Sequence, residues 1–223
     1  MQPTLSCPSC GAAVPVRSSA LPYVTCGYCQ TLIRREGDNI EAIGKVAVLP
    51  FDVSPLQLGT TGHWRGTRFT LVGRVRWGWS DGSWNEWLAE GDDGKHRWLG
   101  EAMGQYLISE EYPALFDQPA IAAFAAGEPI AVGTLAVVGK LRFEASDVKE
   151  AECLGSEGDL PFATPIGRKM TSVDFRSPTG DALSLQRDET GATAWLGDFL
   201  ELQQLAPGNL RAIEGWSIPA ALQ

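Results

Sequence analysis

The stretch Thr67-Arg68-Phe69-Thr70-Leu71-Val72-Gly73-Arg74-Val75-Arg76-Trp77-Gly78-Trp79 decides the class of fold. Leu71, Gly73, Val75, Trp77 and Trp79 recur at every second position, with Arg74 and Arg76 between them. A period of two marks an extended strand, because successive side chains leave opposite faces. Ser80-Asp81-Gly82-Ser83 then supplies a turn, 84–90 a second strand and Gly91-Asp92-Asp93-Gly94 another turn, and 95–99 and 105–109 are two further strands. Short strands joined by Gly/Asp turns predict an antiparallel meander.

The rest of the chain has the same texture. Its 223 residues include 25 glycines, 14 prolines and 8 tryptophans, with 44% hydrophobic and 20% charged residues. That balance is globular, and so many turn formers and aromatics favour short strands over long helices. Segments 168–176, 182–187 and 193–196 read as strands, with Ser177-Pro178-Thr179-Gly180 and Glu189-Thr190-Gly191 as their turns. Leu115, Phe116, Ile121 and Phe124 predict one short helix within 112–126, and 199–205 reads as a last strand or a helical turn. Gly66-Thr67 followed by 72–77 is echoed by Gly133-Thr134 followed by 138–143, at offsets of 67 and 66. Trp98-Leu99-Gly100-Glu101 is echoed by Trp195-Leu196-Gly197-Asp198, at an offset of 97. Their shared order predicts two related meanders, about 60–110 and 130–206, with the cations outward and Val75/Trp77 or Leu141/Phe143 inward.

Cys7-Pro8-Ser9-Cys10-Gly11 and Cys26-Gly27-Tyr28-Cys29 are two CxxC pairs with fifteen residues between them. This is the spacing of a four-cysteine zinc site. Each turn directs two thiolates at one point, and two turns complete a tetrahedron around a d¹⁰ cation. Segments 12–16, 21–25 and 31–35 have the character of short strands. So small a module lacks the apolar surface to fold alone, and an ion supplies the missing free energy, roughly 10–16 kcal/mol in zinc peptides. Disulfides need an oxidising compartment, and the polar start of the chain has no signal-peptide core. A redox CxxC opens a helix beside a βαβ unit, whereas here Pro15 follows without a helical period. Zn²⁺ is therefore expected at Cys7, Cys10, Cys26 and Cys29, and four thiolates leave no open position, so the ion is structural. Cys153 stands alone and reads as a small half-buried side chain.

The expected architecture is mostly β: a zinc ribbon over 1–36, then a β-rich domain over 46–206 built of two antiparallel meanders, as small barrels or a sandwich. Residues 34–45, around Gly37-Asp38-Asn39, read as the linker, and 207–223 as a C-terminal tail.

The formal net charge is −9. Residues 1–45 hold four basic and three acidic groups, which leaves 14 basic and 24 acidic in the remainder. Binding to phosphates is driven by cations displacing counterions, so nucleic acid is not an expected partner. The most apolar stretch, 114–139, is broken by Asp117, Pro119, Glu128 and Pro129, so no transmembrane segment is expected. These features point to a cytoplasmic protein, with peripheral membrane association left open.

Several segments together carry a resemblance. The cysteine ribbon is followed by 69–77 (FTLVGRVRW), Trp84-Asn85-Glu86-Trp87, Trp98-Leu99 with Gly104, and Glu157-Gly158-Asp159-Leu160-Pro161-Phe162. Over roughly 46–206 this is similar to bacterial proteins of the family called domain of unknown function 4178. Asp159-Leu160-Pro161-Phe162 departs from that family's usual Glu-Leu-Pro-Trp, which shrinks one aromatic contact. The resemblance implies no activity and no catalytic residues. Through the company such proteins keep, in membrane stress and polyamine metabolism, it implies an accessory or adaptor role with a protein partner.

The residues themselves offer one constellation with binding chemistry. On a strand, Trp84 and Glu86 face one way and Asn85 and Trp87 the other, so either both faces are covered or one holds a partner. Glu86 either pairs with Arg74 or Arg76 across the strands, or joins Trp84 and Trp98 in an aromatic-acidic pocket for a cation such as a polyamine or a lysine side chain. Gly78-Trp79-Ser80-Asp81-Gly82 matches GxSxG, but a nucleophile elbow needs a strand leading into a helix, and another strand follows. Glu157 and Asp159 read as a solvated loop. With two histidines, no HExxH and no phosphate-cradling loop, catalysis is not indicated. The expected function is non-catalytic binding or adaptor work, with service in a bacterial envelope-stress system implied by the resemblance; the alternative is an accessory enzyme or small-molecule (polyamine) binder.

Overall fold

The computed structural model describes residues 3–37, 39–49, 52–165, 167–215, 217–219 and 222. The chain is mostly β. Five short strands make the N-terminal ribbon: β1 (Thr4–Ser6), β2 (Ala13–Pro15), β3 (Tyr23–Thr25), β4 (Thr31–Glu36) and β5 (Asn39–Lys45). β1 pairs with β2, and β3, β4 and β5 form an antiparallel ladder. The stretch read as a linker is instead the β4–β5 hairpin, turned at Gly37.

The first meander follows as β6 (Thr61–Trp64), β7 (Thr67–Trp79), β8 (Gly82–Gly91), β9 (His96–Ala102) and β10 (Gln105–Glu111). The expected helix is split into a 3₁₀ turn, Pro113–Asp117, and α1 (Pro119–Ala125). Gln118 is extended between them, as the residue before a proline tends to be. The second meander is β11 (Leu135–Val138), β12 (Leu141–Leu160), β13 (Lys169–Arg176), β14 (Asp181–Asp188) and β15 (Gly191–Leu200), followed by a 3₁₀ turn over Leu202–Leu205.

The two meanders do not make two barrels. Antiparallel pairing runs β7–β8–β9–β10–β15–β14–β13–β12 and returns from β12 to β7, closing one barrel. Closure removes the unpaired edges that an open sheet exposes. β12 serves two partners in succession, β13 along 144–152 and β7 along 152–158. At Gly158 (φ 74°) a Cβ would lie 2.3 Å from the carbonyl oxygen of Val72, so only glycine allows the two strands to meet there.

Closure also sorts the side chains differently from the simple alternation. A bulge between Leu71 and Gly73 flips the register of β7. Phe69 and Leu71 therefore pack outside with Trp87, Leu99 and Ile108, beneath Leu56, Leu202 and Leu205. Val72, Val75 and Trp77 pack inside with Leu88, Leu160 and Met170. On the far side Phe143, Val173, Phe175, Leu183 and Leu185 face outward and are covered by Leu115, Ile121 and Phe124. Val75/Trp77 and Leu141/Phe143 thus lie on opposite surfaces of the barrel wall. The echo of 72–77 falls on the β11–β12 hairpin, while Trp98 and Trp195 sit on β9 and β15, the two neighbours of β10. Neither echo marks equivalent positions.

Arg74 and Arg76 do face outward, yet they are covered. Both bind the carboxylate of Asp52, which also takes Arg211 at 2.6 Å. Burial opposes the Asp52 charge, but the Arg211 bond and the three guanidinium charges hold its carboxyl below the ordinary range. This cluster ties the segment before β6 and the described part of the tail to the wall, and Thr61 and Gly208 exchange backbone hydrogen bonds beside it.

The seam between the meanders is tight at β10–β15. A Cβ at Gly197 would lie 1.9 Å from the Ile108 carbonyl oxygen, whereas at Gly100 the nearest atom is 3.6 Å away. Gly197→Ala should therefore destabilise the fold by about 1–3 kcal/mol, and Gly100→Ala should leave the thermal midpoint within about 2 °C of wild type. Equal midpoints for the two variants in a thermal melt would contradict this seam.

Candidate functional site

At the N-terminus the four cysteines converge. Their sulfur atoms all lie within 4.8 Å of one another, with Cys7 to Cys29 at 3.7 Å and Cys10 to Cys26 at 3.9 Å. These separations far exceed an S–S bond of about 2.05 Å. They match the roughly 3.8 Å edge of a tetrahedron whose metal–sulfur distance is about 2.3 Å. The Thr31 hydroxyl lies 3.1 Å from the Cys29 sulfur and, with the Thr31 amide, lowers that thiol to about 6, while against the pull of the Ala12 amide the neighbouring Cys29 sulfur pushes Cys10 up to about 12. The donor set fits a metal ion held by four thiolates.

The ribbon is built onto the floor of the barrel. β3 pairs with β12 at Asp159–Val24 and Leu160–Tyr23. Leu21 joins Val75, Trp77 and Leu88 in the inner cluster. Asp159, expected in a solvated loop, is fully buried, and one of its oxygens accepts the backbone N–H groups of Arg17 (2.5 Å) and Ser18 (2.9 Å). Burial raises its carboxyl against the pull of those amides. The Ser18 hydroxyl donates to Glu90 at 2.8 Å, and Arg35 donates to the carbonyls of Ser18 and Leu21.

Inside the barrel is a cavity of about 360 Å³. Its lining comes from all eight barrel strands, which makes it the lumen: Trp79, Trp84, Trp98, Ser109, Lys149, Asp174, Gln186 and Trp195 are one contribution from each. Trp84, Glu86 and Trp98, singled out from the sequence, are brought together on its wall. Arg74 and Arg76 are not part of it, so Glu86 does not pair with them. Its oxygens instead accept the indole N–H groups of Trp77 (2.9 Å) and Trp84 (3.0 Å) and the side-chain amide of Gln186. No ion pair to Glu86 forms among the described residues. Burial raises its carboxyl to about 7, with the indole bonds opposing and the nearby Asp174 charge reinforcing the shift. Asp174 is raised as well by burial, against a hydrogen bond with Ser184.

The cations of the lumen sit nearer its mouth and are engaged. Lys149 binds Asp147 at 2.7 Å and lies 5.7 Å from the Trp79 ring. Arg176 stacks on Phe199 at 3.8 Å and donates to Gln105. Cys153 is buried among the inner apolar side chains, and burial raises its thiol. Gly78–Gly82 forms the end of β7 and its turn into β8, so Ser80 is on a hairpin and not on an elbow.

Asp174, Arg176, Ser184, Gln186 and Trp195 were not foreseen as site residues. Their signal was present: Ser172/Asp174/Arg176 alternate with Val173/Phe175, and Ser184/Gln186 with Leu183/Leu185. Alternation names two faces without saying which is wet, and here the polar face turns inward because a helix covers the apolar one.

The model of the family called Domain of unknown function (DUF4178) matches residues 57–202. The chain belongs to that family. The match takes in β6 to β15, so the barrel and its lumen are the DUF4178 domain, and the cysteine ribbon lies outside it. Neither a curated protein nor a solved structure matches the chain. Among the described residues no helix is long and apolar enough to cross a membrane.

The buried carboxyl has a consequence for stability. The folded state holds the Glu86 proton to about pH 7, whereas its ordinary value is 4.5. Its ionisation therefore costs stability, which is full below about pH 4.5 and declines as the pH rises to about 7. Glu86→Gln should remove that part of the decline, and relative to wild type it should gain on the order of 3 kcal/mol between pH 4.5 and 8 in denaturant titrations. Parallel stability profiles for the two proteins would show that Glu86 ionises freely.

Proposed function

We propose that the DUF4178 barrel is a non-catalytic binding module whose lumen takes an organic ammonium ion, and that the ribbon carries a structural zinc ion. The observation that carries the first part is Glu86: a buried carboxylate on the wall of a cavity, held by neutral N–H donors alone and surrounded by indoles. Burying a carboxylate without a counter-charge is costly, and an ammonium group entering the lumen supplies one. Tryptophan faces add cation–π attraction that grows as water is excluded. Asp174, the second raised carboxyl of the lumen, reinforces the preference for a cation. A lysine side chain offered by a partner protein presents the same chemistry as a free amine, so an adaptor that grips a lysine is one form of this reading.

The test is calorimetry and tryptophan fluorescence at pH 8 with n-butylammonium, which mimics a lysine side chain, and with spermidine. Saturable binding at or below millimolar concentration is expected. Glu86→Gln should weaken it about tenfold or more, the loss of one charge-assisted contact. Absence of saturable heat with both amines at millimolar concentration would remove the support for this reading.

Zinc is favoured at the ribbon because four thiolates in a tetrahedron suit a d¹⁰ ion without an open site. Protein purified without chelator should contain one zinc per chain by elemental analysis. Cys26→Ser should lower that content and speed amide exchange across 17–35, where the ribbon meets the barrel. Metal-free protein with the same protection over 17–35 would contradict a structural role.

A further inference from the structure

The lumen is divided. Below the cavity of about 360 Å³ lies a second chamber of about 180 Å³, and Glu86, Trp98, Gln186 and Trp195 line both. These four residues are therefore the partition between them. Its central bond runs from the Gln186 amide on β14 to the Glu86 carboxylate on β8. In the order β7–β8–β9–β10–β15–β14–β13–β12, strands β8 and β14 are four places apart in either direction. The Glu86–Gln186 bond thus crosses the barrel along its diameter.

The lower chamber has one aromatic, apolar side and one polar side. Trp77, Phe162 and Met170 form one wall, with Trp98 and Phe162 stacked at 5.8 Å, and Arg187, Asp188, Thr190 and Thr193 of the β14–β15 hairpin form the other. Arg168 borders the chamber, lying over the Phe162 ring at 4.5 Å, forming an ion pair with Asp188 and donating to the Ala163 carbonyl at 3.0 Å. A space with an aromatic wall on one side of a carboxylate, and the larger lumen on the other, fits an amine carrying substituents in two directions. The Gln186 side chain stands across that route.

We propose that Gln186 is a specificity-determining residue: it closes the lower chamber and restricts the lumen to amines whose substituents all extend towards the upper mouth. This rests on the ammonium reading above. An ammonium nitrogen at Glu86 with one alkyl arm runs that arm up the larger cavity. A second arm has to pass Gln186. The chamber below offers it aromatic surface, so the barrier is the side chain that spans the lumen and not a lack of favourable walls.

The experiment compares n-butylammonium with its N-methyl, N-ethyl and N-propyl derivatives, in the full-length protein at pH 8, by calorimetry. In the wild type, affinity should fall as the second arm grows. In Gln186→Ala the ranking should reverse, with a gain of up to about fourfold for each methylene that reaches the lower chamber. Gln186→Leu, which fills the same space without the hydrogen bond, should keep the wild-type ranking and so separates blockage from loss of the bond. Should Gln186→Ala not fold, Gln186→Ser serves the same comparison, since its hydroxyl leaves the route open. Wild-type protein that binds butylammonium, with an unchanged ranking in the shortened variants, overturns the partition while leaving the ammonium reading in place. Wild-type protein that binds none of the four amines overturns both.

Discussion

The pairing of β12 with β7 is the interaction on which the rest depends. It joins four strands of each meander into a closed wall, and closure decides which side of every strand becomes the inside. β12 can make that pairing because it is long and bent, with register shifts near 145–147 and 153–155 and a glycine at the point of closest approach. Its last residues then continue past β7 to pair with β3. One strand therefore closes the barrel and carries the ribbon. A metal ion that orders the ribbon acts on the same strand that completes the lumen.

The distribution of polar groups follows from closure. In most small barrels the interior is the apolar core. Here the apolar faces of β13 and β14 point outward, under α1 and the preceding 3₁₀ turn, and those of β7 to β10 are covered by the segment before β6 and by the chain after β15. With both outer surfaces blanketed, the interior is free to be polar. The lower part is filled by Val75, Leu88, Leu160 and Leu21 of the ribbon, and the upper part keeps a cavity lined by carboxylates and indoles. The Asp52–arginine cluster holds the outer cover in place. A covered exterior and a hollow interior are two aspects of one arrangement.

Two carboxyls are buried at the ends of this arrangement, for different reasons. Asp159 caps two backbone amides through one of its oxygens and fastens the ribbon, so that oxygen is committed to structure. Glu86 accepts from side chains that themselves face a cavity, so a ligand can reach it. Both are raised by burial, yet only Glu86 stands where an incoming charge could compensate it. Location in the fold separates the carboxylate committed to structure from the one that faces the cavity.

Local chemistry was enough to predict that the four cysteines converge into a cluster that could hold a metal ion, because two CxxC turns carry their own geometry. It was also enough to mark most strands, since a period of two and glycine-rich turns act over a few residues. The juxtaposition of Trp84 and Glu86 on one face likewise followed from the pleat of a single strand. What sequence could not decide was anything that depends on distant pairing. The bulge at 72–73 reversed Leu71 relative to Val75, the polar face of β13 and β14 turned inward, and 157–160 became strand because β3 and β7 were there to pair with it. Glu86 met Gln186 from a strand a hundred residues away, across a diameter that exists only once the ring is closed. Alternation along a strand defines two faces, but long-range pairing alone determines which of them is enclosed.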